Sequence, residues 1–255
     1  MTARYVLRHI LVVLFKDLTV ALISMLLCLS PALGHELLDA ERGETYLNQI
    51  RELNAAITQG KSIQQRAEAL FALGETVTSM VESLNRDLVS HHGELGLAST
   101  VIMHELKAQG IELTLWPEAM RYKSYTKPFE QYLAFLPEGP RGAEALFHIL
   151  KGRFYDSFIY DPLQPIDLDW PVLVAQIKEA EAFLARYPDF RNREEAFFIL
   201  AVDYVRAARQ TSDANLRAFY VPRARNALQE FFTTYPDSIR ASAAQMLLAR
   251  LPSVQ

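Results

Sequence analysis

Five side chains between positions 91 and 105 form the densest set of metal-ligand types in the chain: His91, His92, Glu94, His104 and Glu105. Zinc asks for three or four donors converging from fixed elements. His104 follows Glu94 by about three helical turns, so the spacing predicts a polar loop at 91–94 and no metal. His35 is a second kind of candidate: as the first residue of a processed chain, its amine and imidazole would chelate copper. Gly60-Lys61-Ser62 has the ending of a phosphate-binding loop, but position 55 is Ala where the motif needs Gly, and the preceding residues read as helix. The carboxylate pairs Asp167/Asp169 and Glu194/Glu195 would suit acid–base catalysis only if they faced each other across a cleft. Asp169 instead precedes Trp170-Pro171 as a helix cap, and Glu194/Glu195 fall in a first helical turn, where negative charge suits the helix dipole. The expectation is therefore no catalytic residue, no metal and no cofactor.

Arginine is the other chemically expressive residue. Residues 35–178 carry 13 basic and 20 acidic groups, whereas 179–255 carry 10 and 9, and all ten of those bases are arginine. Guanidinium forks grip carboxylates. Arg193, Tyr204, Arg206, Arg209, Arg217 and Arg225 are the expected partner-binding residues, lining a groove for a protein or peptide. A formal charge of −4 over the 255 residues excludes a basic protein dominated by phosphate contacts, so no nucleic-acid partner is expected. Half the residues are AVILMFWYC and only 10 are Gly, which excludes disorder. One cysteine excludes a disulfide framework.

Residues 1–34 read as a secretory signal peptide. Arg4, Arg8 and Lys16 precede the apolar run Leu18–Leu29, and Ser30-Pro31-Ala32-Leu33-Gly34 offers small residues at a cleavage site. Twelve residues rise about 18 Å, short of a bilayer core. Leu26 and Leu27 precede Cys28, so a lipid-attachment motif is absent. The expected location is periplasmic or secreted, with membrane contact only through the signal segment if it is retained.

Beyond that address the elements read as helices, in an N-terminal helical region at 35–125 and a repeat region at 126–255. Leu47, Ile50, Leu53 and Ile57 mark one helix, ended by Gly60. Ile63, Ala67, Leu70, Gly74, Val77, Val81, Leu84 and Leu88 alternate steps of four and three, a seam for packing within the chain or for self-association. A third helix spans Leu95 to Gly110, a short extended piece 111–115, and Trp116-Pro117-Glu118 a further helix start. The aromatic run 154–160 and the three-proline link 161–171 read as hairpin core plus stiff connector, or as a partner-facing edge joined by Tyr122, Tyr125 and Phe129.

Three stretches of the C-terminal half repeat: 129–150, 181–201 and 230–249. Each is an apolar helix end, then Leu-Pro or Tyr-Pro, a polar link, and a helix with alanine eight residues after the proline. The pairs are Pro137/Ala145, Pro188/Ala196 and Pro236/Ala244. Proline stops the first helix, and alanine keeps the second thin where the first crosses it. Tyr187 and Tyr235 are expected to be buried against the following helix. Asn192 with Glu195 reads as a capping box, and Ser238 as the corresponding cap.

The turns Tyr187-Pro188-Asp189 and Tyr235-Pro236-Asp237-Ser238 resemble those of tetratricopeptide-like helical repeat proteins of the bacterial cell envelope, such as the periplasmic lipoprotein of the outer-membrane β-barrel assembly machinery. The resemblance is best over 172–251 and weaker over 125–158. It implies an all-α fold of stacked antiparallel hairpins and a non-catalytic scaffold that holds another protein. Two other readings stand beside it: a metal- or carbohydrate-active envelope enzyme on an α-hairpin scaffold, and a structural protein self-associating through the 63–88 helix.

Overall fold

Helix after helix follows from the apolar periodicity. The computed structural model describes residues 38, 40–90, 97–158 and 168–251. The signal reading at 1–34, His35, the His91-His92-Glu94 cluster and Asp167 with most of the proline-rich link lie outside them. The described elements are α1 (Ala40–Gln59), α2 (Ile63–Ser90), α3 (Leu97–Ala108), β1 (Leu115–Trp116), β2 (Arg121–Tyr122), α4 (Lys127–Phe135), α5 (Gly142–Tyr155), α6 (Trp170–Arg186), α7 (Arg193–Gln210), α8 (Ala214–Thr234) and α9 (Ala241–Ala249). Among the described residues the fold is all-α apart from the two-residue antiparallel pair β1–β2, in which Leu115 faces Tyr122.

Neighbours in sequence are neighbours in space. The pairs α1·α2, α4·α5, α6·α7 and α8·α9 are antiparallel hairpins, joined through α2·α4, α5·α6 and α7·α8. In addition α5 touches α7 and α7 touches α9, so the second helices of the last three hairpins form a row.

The three proline corners share one hydrogen-bonded path. Leu136, Tyr187 and Tyr235 leave their helices at φ/ψ of −137/74°, −125/65° and −130/60°. Each still donates its N–H to the carbonyl four residues back, on Tyr132, Phe183 and Phe231. Its own carbonyl accepts from the residue three ahead (Gly139, Phe190, Ser238) at 3.0, 3.2 and 3.2 Å. That residue's carbonyl accepts in turn from Gly142, Arg193 and Ala241. The proline after each corner has no N–H to continue the helix, which is why the path turns there. Ala145, Ala196 and Ala244 are each 0% exposed, as the crossing requires.

Each corner also reaches back to the preceding hairpin. Arg141 forks onto Glu75 of α2, with Nη2 at 3.0 Å and Nη1 at 3.2 Å, and lies 3.5 Å from the Phe71 ring centroid. Phe190 packs 5.2 Å from Phe147 of α5, and Arg191 pairs with Glu144 at 2.9 Å. Arg240 pairs with Glu194 and Glu195 of α7 at 3.2 and 3.1 Å, and the Ser238 hydroxyl donates to Glu194.

The N-terminal hairpin is built differently. Its turn at Gly60 lacks the proline path. Close packing comes instead from glycines: a Cβ on Gly74 would stand 2.6 Å from the Phe129 ring, and one on Gly43 2.1 Å from Ile102.

Several local expectations are corrected. Glu195 does not close a capping box with Asn192. Asn192 has no side-chain cap bond, its backbone at φ −103°, ψ 29° lying outside the extended region usual for an N-cap, and the Glu195 side chain is taken by Lys151, Arg240 and the Tyr155 hydroxyl. Asp169 stands at the N-cap of α6 without a side-chain cap bond, whereas Asp213 caps α8 by accepting from the N–H groups of Asn215 and Leu216. Trp116-Pro117-Glu118 starts no long helix. Pro117–Ala119 make one 3₁₀ turn, closed by Met120 at φ 45°, ψ 48°. Tyr187 and Tyr235 are half-buried, and they pack backwards: Tyr187 on Phe183, Tyr235 on Phe231 and on Phe197 of α7.

Candidate partner-binding face

The six residues expected to bind a partner do not converge. Arg193 and Arg209 lie at opposite ends of α7, sixteen residues or about 24 Å apart. Arg193 bonds the Tyr235 hydroxyl at 3.2 Å and stacks on Phe197, so it braces the third corner. Arg206 is 1% exposed and belongs to the core, which removes it from any groove. Its guanidinium pairs with Asp203 at 3.2 Å, donates to the Ser157 carbonyl and hydroxyl, and lies 4.6 Å from the Phe158 ring centroid. A guanidinium this deep needs a carboxylate and carbonyl acceptors around it. Tyr204 is 8% exposed, and its hydroxyl donates to Glu181 of α6. Arg209, Arg217 and Arg225 are exposed. Arg217 donates to the Thr211 carbonyl at 3.0 Å, tying the start of α8 to the end of α7.

The 63–88 seam is closed to a second copy. Ala67, Leu70, Gly74, Val77, Val81, Leu84 and Leu88 are all buried within the chain's own fold, with only Ile63 exposed. The partner-facing edge is corrected in the same way. Phe154, Phe158, Tyr122 and Phe129 are buried, and Phe129 stacks flat on His148 at 4.4 Å.

Two buried groups titrate abnormally. Burial pushes the Asp203 carboxyl up to about 7, against the opposing pull of Arg206. His148 is driven down to about 4 by burial first and by the nearby cations Lys151, Arg141 and Arg191 second, so it stays neutral between its aromatic neighbours. Among the described residues no three His, Cys, Asp or Glu side chains gather as a metal site. No helix among them is long and apolar enough to cross a membrane.

What the arrangement does offer is the exposed side of α8. Phe219 is 46% exposed, and Arg223, one turn later, lies flat over it with Cζ 3.4 Å from the ring centroid. The Arg223 guanidinium also donates to the Phe219 carbonyl at 3.2 Å. Behind them Tyr220 meets Trp170 of α6 edge-on at 5.7 Å and Tyr204 at 6.4 Å. The Tyr204 and Tyr220 hydroxyls are both held above the usual phenol range, chiefly by burial and next by Glu181. Aromatic residues, a pre-positioned guanidinium and a carboxylate therefore meet where α6, α7 and α8 come together.

No family model matches the chain, and no curated protein is similar to it.

Phe219, Pro222 and Arg223 were absent from the sequence-derived set. The signal was present: Phe219 and Arg223 are spaced i, i+4, and 209–229 hold four arginines against the single acid Asp213.

Proposed function

We propose that this chain is an exported, non-catalytic helical-repeat scaffold that holds a protein or peptide partner in the cell envelope, its hairpins stacking as a tetratricopeptide-like solenoid. The observation that carries this reading is the repeated corner. Three hydrogen-bonded paths of the same kind, each with a crossing alanine and each reaching back to the previous hairpin, are how a chain builds a stack in which every unit covers its neighbour's apolar face. Such stacks present long continuous surfaces, and the α8 side supplies exposed aromatic and arginine groups of the kind enriched at protein interfaces.

The test is site-specific photocrosslinking in cells. A photoreactive residue at position 219 is expected to trap one discrete protein partner, while the same residue at exposed Lys61 traps none. No discrete partner from position 219, or equal trapping from both positions, would remove the scaffold reading. Export is tested separately, by sequencing the N-terminus of the cell-envelope form. His35 is the expected first residue, and a chain still beginning at Met1 in the cytosol would contradict it.

A further inference from the structure

We propose that the turn ending α5 is a latch that makes the helices before it and the helices after it unfold together. The turn is residues 155–158, and it is gripped from both sides. From the N-terminal side, the Arg121 guanidinium of β2 donates to the carbonyls of Tyr155 and Phe158. Ser124, two residues past β2, donates its N–H to both oxygens of the Asp156 carboxylate at 3.0 Å and its hydroxyl to Oδ1 at 3.2 Å. From the C-terminal side, Arg206 of α7 donates to the Ser157 carbonyl at 3.1 Å and hydroxyl at 2.9 Å, and its guanidinium lies 4.6 Å from the Phe158 ring centroid. Glu195, also of α7, accepts from the Tyr155 hydroxyl at 3.0 Å. Tyr155 and Phe158 are therefore each held twice, by Arg121 at the carbonyl and by α7 at the side chain.

The chemistry of a helix end explains why arginine serves here. The last carbonyls of a helix have no intrahelical donor, and they carry the negative end of its dipole. A guanidinium answers both needs at once. Neither arginine is local to the turn: Arg121 precedes Tyr155 by 34 residues, and Arg206 follows Ser157 by 49. Each is fixed to its own region. Next to Arg121, Tyr122 is bound to α2 by the Asn85 amide, which donates to its carbonyl at 3.1 Å and accepts its N–H at 2.6 Å. Arg206 is buried on α7 beside Asp203.

In a row of hairpins each unit touches only its neighbours, so distant units are free to unfold separately. The turn 155–158 removes that freedom. If α6–α9 part from α5, the Arg206 and Glu195 bonds are lost together, and the turn loses the shape that lets Arg121 reach two carbonyls. Loss of Arg121 weakens the grip of Arg206 by the same route. Apolar packing also crosses α5, with Ala145 and Ile149 on one side and Phe147, Leu150 and Phe154 on the other. Apolar burial is non-directional, however, and adds interface by interface. A shared set of directional bonds is not additive, and that is the latch's signature. It operates whatever the chain binds.

The experiment is urea unfolding of the full chain, followed by fluorescence. The two tryptophans stand on opposite sides of the latch, Trp116 in β1 and Trp170 at the start of α6. Trp170→Phe and Trp116→Phe backgrounds report each side alone. Midpoints rather than amplitudes are compared, because Arg121 lies 5.4 Å from the Trp116 ring centroid. With the latch intact, both reporters are expected to give one midpoint. Arg121→Met together with Arg206→Met should separate them by at least about 0.5 M, with Asp203→Asn added so that no carboxylate is stranded. A milder pair carries the test if that protein does not fold. In a double-mutant cycle of Arg121→Met with Ser157→Ala, the combined shift in the unfolding constant should fall short of the product of the single shifts by at least about threefold. Arg121→Met with Leu247→Val, far off in α9, should give the product. Separate midpoints in the intact protein, coincident midpoints after both cuts, or a plain product in the Arg121/Ser157 cycle would each overturn the proposal.

Discussion

The two halves of the described fold solve one packing problem by different means. In α1–α3 the helices approach through missing side chains, with Gly43 under Ile102 and Gly74 under Phe129, and long helices carry the core. From α4 onward they approach through a repeated corner, with alanine at the crossing and polar side chains reaching back to the previous hairpin. A glycine contact is local and serves one crossing. A proline corner with a crossing alanine is a module that can be used again, and here it is used three times. The difference teaches that the extensible part of the molecule is the C-terminal one.

Successive corners are also linked by charge. The residue before the crossing alanine is Glu144 in α5 and Glu195 in α7, and each accepts a cation from the next corner, Arg191 and Arg240 respectively. In α9 the same position is Ala243.

The largest expected effects come from breaking each half at its own device. Phe129→Ala, where α4 seats on Gly74 of the N-terminal half, and Phe231→Ala within the C-terminal half both empty fully buried sites, and each should cost about 3–5 kcal/mol in denaturant unfolding. Gly74→Leu should be as damaging as either, because the Phe129 ring stands where the new side chain must go. Arg206→Ala leaves the Asp203 carboxyl buried without its partner, and a loss of about 3–5 kcal/mol is expected by the same measurement.

Two sites within the C-terminal half respond to pH with opposite sign, His148 in α5 and Asp203 in α7. In the unfolded chain His148 takes a proton near its ordinary value of 6.5, whereas in the fold it waits until about 4. Its region therefore loses stability as pH falls through that window. Asp203 behaves in reverse. The unfolded carboxyl ionises near 3.8 and the folded one near 7, so its region loses stability as pH rises between those values. Unfolding free energies measured across pH should show His148→Phe flattening the acid-side decline and Asp203→Asn flattening the decline toward neutrality. Unchanged profiles in both variants would contradict the burial assigned to these groups.

Smaller effects follow. Arg141→Lys keeps the charge but loses the fork on Glu75 and the face-on packing over Phe71, at a cost of about 1–2 kcal/mol. Pro222 sits inside α8 on its exposed side, where it removes one helical hydrogen bond. Pro222→Ala should raise the unfolding free energy by about 1 kcal/mol.

Much of the fold was legible, because its signals are local. The 63–88 periodicity gave α2 within its observed bounds, and the proline–alanine spacing marked all three corners. What escaped was whatever depends on a distant partner. Nothing near Glu195 shows that Arg240 and Tyr155 will claim it from Asn192. Nothing near Arg206 shows that Ser157 and Phe158 enclose it, so a buried arginine looked like a binding one. The candidate face was half legible. Arg217 and Arg225 were readable as part of a cationic segment, but Arg223 gains its meaning only beside Phe219 on a helix whose other side is core.

The central claim is that one unit, repeated by one operation, builds the C-terminal half. A crystal structure of the processed chain measures this directly, through the rotation carrying α4–α5 onto α6–α7 and the rotation carrying α6–α7 onto α8–α9. The account predicts two rotations agreeing within about 20°, the usual scatter of helix packing angles. Rotations of unrelated size or axis, with the corners at 136, 187 and 235 following different backbone paths, would contradict it.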